Sequence, residues 1–186
     1  MKISAILAGL VWGAAMMLPF LAYPGNAPPK LDMSAFDAEV KIGVSLVTEH
    51  VGAERDFNET NPGAFVNIWR PWRYAGGDVG FEGGVFENSF SDTSATVNGW
   101  LEWPVLGGPD APLGQLSFGA ALGVARYPNL VDEARDIGLP TLADFVPFVA
   151  AQMTWLATER LELRARATPV GGDADFVVGV QAFLRL

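Results

Sequence analysis

The stretch QLSFGAALGV, Gln115 to Val124, alternates without a break. Leu116, Phe118, Ala120, Leu122 and Val124 are apolar, and Gln115, Ser117, Gly119, Ala121 and Gly123 between them are polar or small. A period of two places one set on each face of an extended strand. The pattern recurs from Ala38 to Leu46, where Ala38, Val40, Ile42, Val44 and Leu46 alternate with Glu39, Lys41, Gly43 and Ser45. It recurs again from Leu161 to Ala167, where the alternates are Glu162, Arg164 and Arg166, and from Phe176 to Leu186. Four further segments alternate less strictly: Ala64 to Trp72, Asp78 to Asn88, Thr93 to Trp103 and Phe145 to Trp155. Eight segments of about nine to eleven residues, separated by Gly, Pro, Asn and Asp, predict a small antiparallel transmembrane β-barrel. A soluble sandwich carries the same alternation with its apolar face turned inward. Two features favour the barrel. The polar faces hold Glu39, Lys41, Glu82, Glu102, Arg164 and Arg166, which can pair across a narrow lumen, and the chain stops at the end of an alternating strand.

Composition agrees. The chain has 186 residues, half of them hydrophobic, with 21 Gly and 13 Pro, too many for a helical bundle. A mean hydropathy of +0.24 is too high for disorder. Twelve Lys and Arg against 21 Asp and Glu give a net charge of -9, which argues against nucleic acid as a partner because phosphates need a basic surface. With no Cys and one His, disulfide frameworks, thiol catalysis and multi-His metal sites are excluded, and neither a cofactor nor a metal is expected. Asp132, Glu133 and Asp136 lack the ligand spacing of a known calcium motif and read as a solvated acidic loop, the alternative being a cation that bridges lipid phosphates.

At the amino terminus, Lys2 precedes an uncharged run to Pro29 whose apolar part spans Ala5 to Ala22, followed by Tyr23, Pro24, Gly25, Asn26 and Ala27. Residues 1–27 therefore read as a secretory signal peptide, with an uncleaved membrane anchor as the alternative. Residues 28–37 would form a periplasmic segment and residues 38–186 the barrel of a monomer in the outer membrane. Loops after odd-numbered strands then face outward: Glu49 to Pro62, Ser89 to Asp92, Arg126 to Ala143 and Pro169 to Ala174. The inner ends gather Trp69, Trp72, Tyr74, Trp103 and Trp155 as an aromatic girdle, with Arg70 and Arg73 snorkelling among them.

His50 opens the first outward loop, Phe57, Asn58, Glu59, Thr60, Asn61, Pro62 and Gly63 follow it, and Glu87, Asn88, Ser89 and Phe90 open the second. The first three strands return these elements to one rim. A histidine that takes a proton and a hydroxyl that gives one are the minimum for acyl transfer, although a lone loop histidine and a turn serine are more often only solvated. Strict alternation from Leu46 would point His50 outward, so the strand needs a bulge to turn it toward Ser89.

The order of these islands resembles the outer-membrane lipid A palmitoyltransferase (PagP) family. His50, then Phe57-Asn58-Glu59 with Pro62 and Gly63, then Phe86-Glu87-Asn88-Ser89-Phe90, Gly99-Trp100, Trp103-Pro104, the Gly119 to Ala125 strand and the Pro140 to Val149 stretch with Pro147 all follow the family's order. The resemblance covers roughly Val40 to the C-terminus at low identity. It implies a phospholipid donor, lipid A or a related lipid as acceptor, and a site at the outer rim with His50 as the essential histidine and Ser89 as the essential serine. The family's aspartate before that serine falls on Asn88, which orients a hydrogen bond but carries no charge. The loop between His50 and Asn58 and the segment before Val40 are both shorter than in the family. Its small residue at the floor of the acyl pocket falls on Trp100, or on Gly99 with one gap. The function expected is membrane acyl transfer with His50, Ser89 and Asn88 at its centre. The rival is a non-enzymatic barrel that serves envelope integrity or binds a lipid or other ligand.

Overall fold

The computed structural model describes residues 31–32, 39–52, 57, 59–108, 111–136, 138, 141–169 and 176–186, with side chains at all of these except 31–32, 70–73, 129 and 133. The signal-peptide reading of residues 1–27 and most of the 28–37 segment lie outside the described residues.

The protein is all-β. Eight antiparallel strands form one closed barrel: β1 (Glu39–Val51), β2 (Gly63–Tyr74), β3 (Gly77–Glu87), β4 (Thr93–Gly107), β5 (Gln115–Arg126), β6 (Phe145–Leu156), β7 (Leu161–Pro169) and β8 (Phe176–Arg185). Each strand pairs with its neighbours in sequence, and β1 closes on β8 from Lys41↔Arg185 to Val51↔Phe176. Closure leaves no barrel strand at an open edge. Leu31 and Asp32 add a two-residue bridge against Tyr74 and Arg73 at the end of β2. One rim carries the connections that follow β1, β3, β5 and β7. The other carries tight turns such as Ala75-Gly76, whose φ angles of +50° and +78° suit the two-residue hairpin that joins β2 to β3. A short helix, α1 (Val131–Asp136), sits in the connection after β5, where Asp132 Oδ1 accepts from Arg135 Nη1 at 3.2 Å.

The eight alternating segments of the sequence are the eight strands, and the alternation sorts their side chains as a barrel and not as a sandwich. Val40, Ile42, Val44, Val66, Val85, Val97, Phe118, Leu122 and Leu184 stand exposed on the outer face. Lys41, Glu82, Glu102, Glu162 and Arg164 are buried inside. The interior is filled. Arg164 donates to Glu82 and to Glu162 at 2.5 Å each, Arg166 donates to Glu82 and to Gln152 at 2.5 Å, and Lys41 pairs with Glu162. Glu102 accepts from Gln152 at 2.5 Å and from Thr154. Glu39 differs from this pattern: it pairs with Arg185 at 2.6 Å, at the rim of the tight turns.

Large interior rings fit because small residues face them. Trp100 pairs across the sheet with Gly80 on one side and Ala121 on the other, and Ala121 pairs with Ala150 in the same layer. A Cβ at Gly80 would overlap the Trp100 ring. With the Asn67 amide turned so that its oxygen faces them, it accepts from Trp100 Nε1 at 3.0 Å and from Arg164 Nη1 at 2.9 Å.

The girdle expectation needs one correction. Trp69 shares the inward parity of Phe65 and Asn67, is 6% exposed, and lies under Lys41 Nζ at 3.6 Å from its ring centroid. Strand parity turns this ring inward, and the cation of Lys41 on the neighbouring strand β1 covers it there, whereas the sequence pattern predicts it at the surface. Trp103 and Trp155 do mark the rim of the tight turns, donating to Ala75 O at 3.1 Å and Leu113 O at 2.8 Å. The side chain of Trp72 lies outside the described residues.

Candidate functional site

The bulge that His50 requires is present in β1. Its register against β8 shifts between Ser45 and Val47, so that Leu46 and Val47 both face outward at 53% and 46% exposure. The extra residue inverts the parity beyond it. Thr48 and His50, which unbroken alternation would send outward, therefore point inward, and the His50 side chain is only 5% exposed.

Ser89 reaches the same place from the third strand, two along the wall from β1. It sits in the tight connection between β3 and β4, closed by backbone bonds from Asn88 N to Asp92 O at 2.8 Å and from Ser91 N to Asn88 O at 2.9 Å. The Asn88 side chain builds this turn. Its Oδ1 accepts from the backbone N–H groups of Phe90 at 2.9 Å and Asp92 at 3.0 Å, and its Nδ2 donates to Ser94 Oγ at 3.0 Å. This is an asparagine turn of the ordinary kind, with Asn88 itself fully buried. Asn88 thus acts on Ser89 through the backbone, and its side-chain bonds go to the hairpin.

Ser89 Oγ lies 2.8 Å from His50 Nε2. On the far side of the ring, His50 Nδ1 lies 3.2 Å from Glu59 Oε1. With Nδ1 protonated toward the carboxylate, Nε2 is left bare to accept the serine proton. Phe57 stacks on the imidazole at 4.2 Å between centroids and 17° between planes, fixing the ring face. Asn61 Nδ2 donates to Ser89 Oγ at 3.2 Å, and the Ser89 backbone N–H points to Tyr127 OH at 3.4 Å. The sequence reading singled out His50, Ser89 and Asn88. Glu59 and Asn61 stand beside them without a motif that marks their roles.

A signal for the missed pair exists. The residues before β2 continue its sheet in irregular form: Thr48 N bonds to Glu59 O at 3.1 Å and Glu87 N to Pro62 O at 2.9 Å, tying the segment to both β1 and β3. Counting back by two from the inward Phe65 gives Gly63, Asn61 and Glu59. Parity places Asn61, 6% exposed, on the inner side, while Glu59 stands at the rim, 46% exposed, with one carboxylate oxygen on His50.

Below the site runs a column of rings. Phe90 meets Phe57 edge-on at 5.9 Å and Tyr127 at 6.3 Å, Tyr127 meets Phe86 at 6.3 Å, Phe86 meets Phe65 at 6.3 Å, and Phe65 meets Phe183 at 6.4 Å. Phe183 then covers the guanidinium of Arg164 at 4.7 Å, with Trp100 on the same cation at 5.2 Å. Of the two pocket-floor candidates, Trp100 points into the lumen and is 3% exposed, whereas Gly99 belongs to the outward set, where an added Cβ would touch Phe81 at 3.5 Å.

Asp132 and Asp136 sit on α1, on the connection after β5, and among the described residues no group of three His, Asp or Glu side chains is placed to hold a metal ion. What the site offers chemically is a hydroxyl, a base and a carboxylate in line. No protein-family model matches the chain, and no curated protein sequence matches it.

Proposed function

We propose that the chain is an outer-membrane acyltransferase that moves an acyl chain from a phospholipid to lipid A or a related lipid acceptor. The observation that carries this reading is the 2.8 Å contact between Ser89 Oγ and His50 Nε2 at the mouth of the barrel. A hydroxyl held against a bare imidazole nitrogen is the arrangement that ester exchange needs, and β1 carries a bulge that brings it about.

The lipid setting is supported by the outer surface. A band of exposed Val, Ile, Leu and Phe encircles strands whose charged side chains are paired inside, the reverse of what water favours and the distribution a hydrocarbon layer favours. The indoles of Trp103 and Trp155 at the tight-turn rim suit a membrane interface. The filled lumen argues against a solute channel. The aromatic column from Phe57 to Phe183 gives an acyl chain an apolar wall that begins at the serine, and Trp100 crosses the lumen beneath it.

The rival reading, a non-enzymatic barrel on the same scaffold, is favoured by Asn88, whose side chain is used by its own turn. Mass spectrometry of lipid A from cells with and without the gene separates the two. The acyltransferase reading expects one added acyl chain that disappears with His50→Ala and with Ser89→Ala while the barrel still folds. No added chain on lipid A or on phosphatidylglycerol would leave the structural barrel.

A further inference from the structure

We propose that Ser89 is a covalent nucleophile in a Ser89–His50–Glu59 triad, with Glu59 as the positioning residue and the Asn61 amide as the donor to the developing oxyanion. This rests on the acyl-transfer reading and adds an acyl-enzyme intermediate to it.

Four hydrogen bonds and one ring stack define the arrangement. Glu59 Oε1 lies 3.2 Å from His50 Nδ1 and 3.4 Å from the His50 backbone nitrogen, so one carboxylate oxygen orients the ring while Phe57 fixes its plane. Nε2 is then the acceptor for Ser89 Oγ–H at 2.8 Å. Asn61 Nδ2 stands 3.2 Å from the same Oγ, and Asn61 Oδ1 is buried with no partner of its own. Its Nδ2, already held at Oγ, has an N–H within reach of the carbonyl oxygen once Oγ becomes bonded to carbon, which is the position of an oxyanion donor. Glu59 comes from a segment whose backbone is tied to Thr48 on β1, the strand that carries His50, so the pair is held by the sheet and not by a free loop.

The chemistry balances. Ser89 Oγ bonds to the ester carbonyl carbon of the phospholipid as its proton passes to His50 Nε2. The carbonyl carbon–oxygen bond to the glycerol breaks, and the departing alkoxide takes the proton back from Nε2 as lysophospholipid. The acceptor hydroxyl then gives its proton to Nε2 and attacks the acyl-serine, and Oγ leaves with that proton restored. No oxidant or metal enters. The alternative is direct attack by the acceptor in a ternary complex, with Ser89 only a hydrogen-bonding neighbour.

The test is labelling of the refolded full chain in detergent by a fluorophosphonate probe, read by intact mass and peptide mapping, alongside acyl transfer from a labelled phospholipid. The triad expects one adduct, on Ser89, that is absent in Ser89→Ala and His50→Ala. Glu59→Gln should slow labelling about 10- to 100-fold at neutral pH and displace its pH profile, and Glu59→Asp should recover part of the rate. Asn61→Ala should slow acyl transfer with little effect on the pH profile. Absence of a Ser89 adduct overturns the triad whether or not acyl transfer is seen, and so does Glu59→Gln labelling with the wild-type rate and pH profile. A Ser89 adduct in a protein that transfers no acyl chain keeps the nucleophile and removes the acyltransferase reading.

Discussion

Replacing Glu82 by glutamine tests whether the lumen is held as one electrically neutral unit. The cations Lys41, Arg164 and Arg166 pair with the carboxylates Glu82 and Glu162, Glu102 lies in the same interior on Gln152 and Thr154, and Glu82 takes bonds of 2.5 Å from both arginines. Its side chain is 0% exposed, as is that of Arg164, and Arg166 is 12% exposed. Loss of the charge leaves Arg166 with no carboxylate partner and Arg164 with Glu162 alone. Removing one partner of such a buried pair costs about 3–5 kcal/mol, against about 0–1 kcal/mol for an exposed pair. Glutamine keeps the shape and one acceptor oxygen, so the lower figure, about 3 kcal/mol, is expected. Asp144→Asn is the internal control, because its bridge to Arg126 spans 3.0 Å between side chains 48% and 44% exposed, and it should cost less than about 1 kcal/mol. Glu82→Gln combined with Arg166→Gln restores neutrality and should recover at least half of the loss. The assay is urea unfolding of the refolded barrel in lipid vesicles, followed by the fluorescence of the interior Trp69 and Trp100. A Glu82→Gln cost equal to that of Asp144→Asn, or a double variant no better than the single, would refute the neutral-unit argument.

Two further outcomes follow from the site. Deleting Val47 removes the extra residue of the β1 bulge and returns Thr48 and His50 to the outer face; acyl transfer should fall at least about 100-fold while heat-modifiable gel migration still reports a folded barrel. At position 88, Asn88→Ala strips the turn of two acceptor bonds and one donor bond and should cost about 1–3 kcal/mol in urea unfolding, whereas Asn88→Asp keeps both acceptor bonds, lets the Ser94 hydroxyl reverse its direction, and should retain or raise any acyl transfer.

The strands were legible because the barrel imposes one rule on every residue of its wall. Gln115 to Val124 obeys that rule with nothing on its inner side larger than a glutamine, so its period is clean. β2 obeys it too, but its inner residues Phe65 and Trp69 are as apolar as its outer residues Val66 and Ile68, and the alternation fades from view. That is why Trp69 read as a surface girdle: the cation that covers it inside, Lys41, lies on another strand. The bulge was legible as a need and not as a place. Leu46 and Val47 are both apolar and both suit the outer face, so the sequence tolerates the inversion without marking which residue is extra.

The departure at position 88 takes on a different meaning in three dimensions. Read along the chain, an asparagine where the family that the sequence resembles has an aspartate removes a charge beside the serine and weakens the case for catalysis. In the fold the Asn88 amide is spent on the hairpin that presents Ser89, a task done by two acceptor bonds and one donor bond that need no charge. The carboxylate that touches the imidazole stands at Glu59, twenty-nine positions before Asn88, on a segment that the sequence presents as loop and that backbone bonds tie to β1 and β3. The two positions therefore answer to different measurements. Substitution at 88 should move the unfolding midpoint, and substitution at 59 should move the pH profile of Ser89 reactivity with the fold unchanged. If instead Asn88→Asp were to shift that pH profile and Glu59→Gln were not, the charge beside the histidine would have to come from the hairpin, and the assignment of Glu59 as its orienting partner would be wrong.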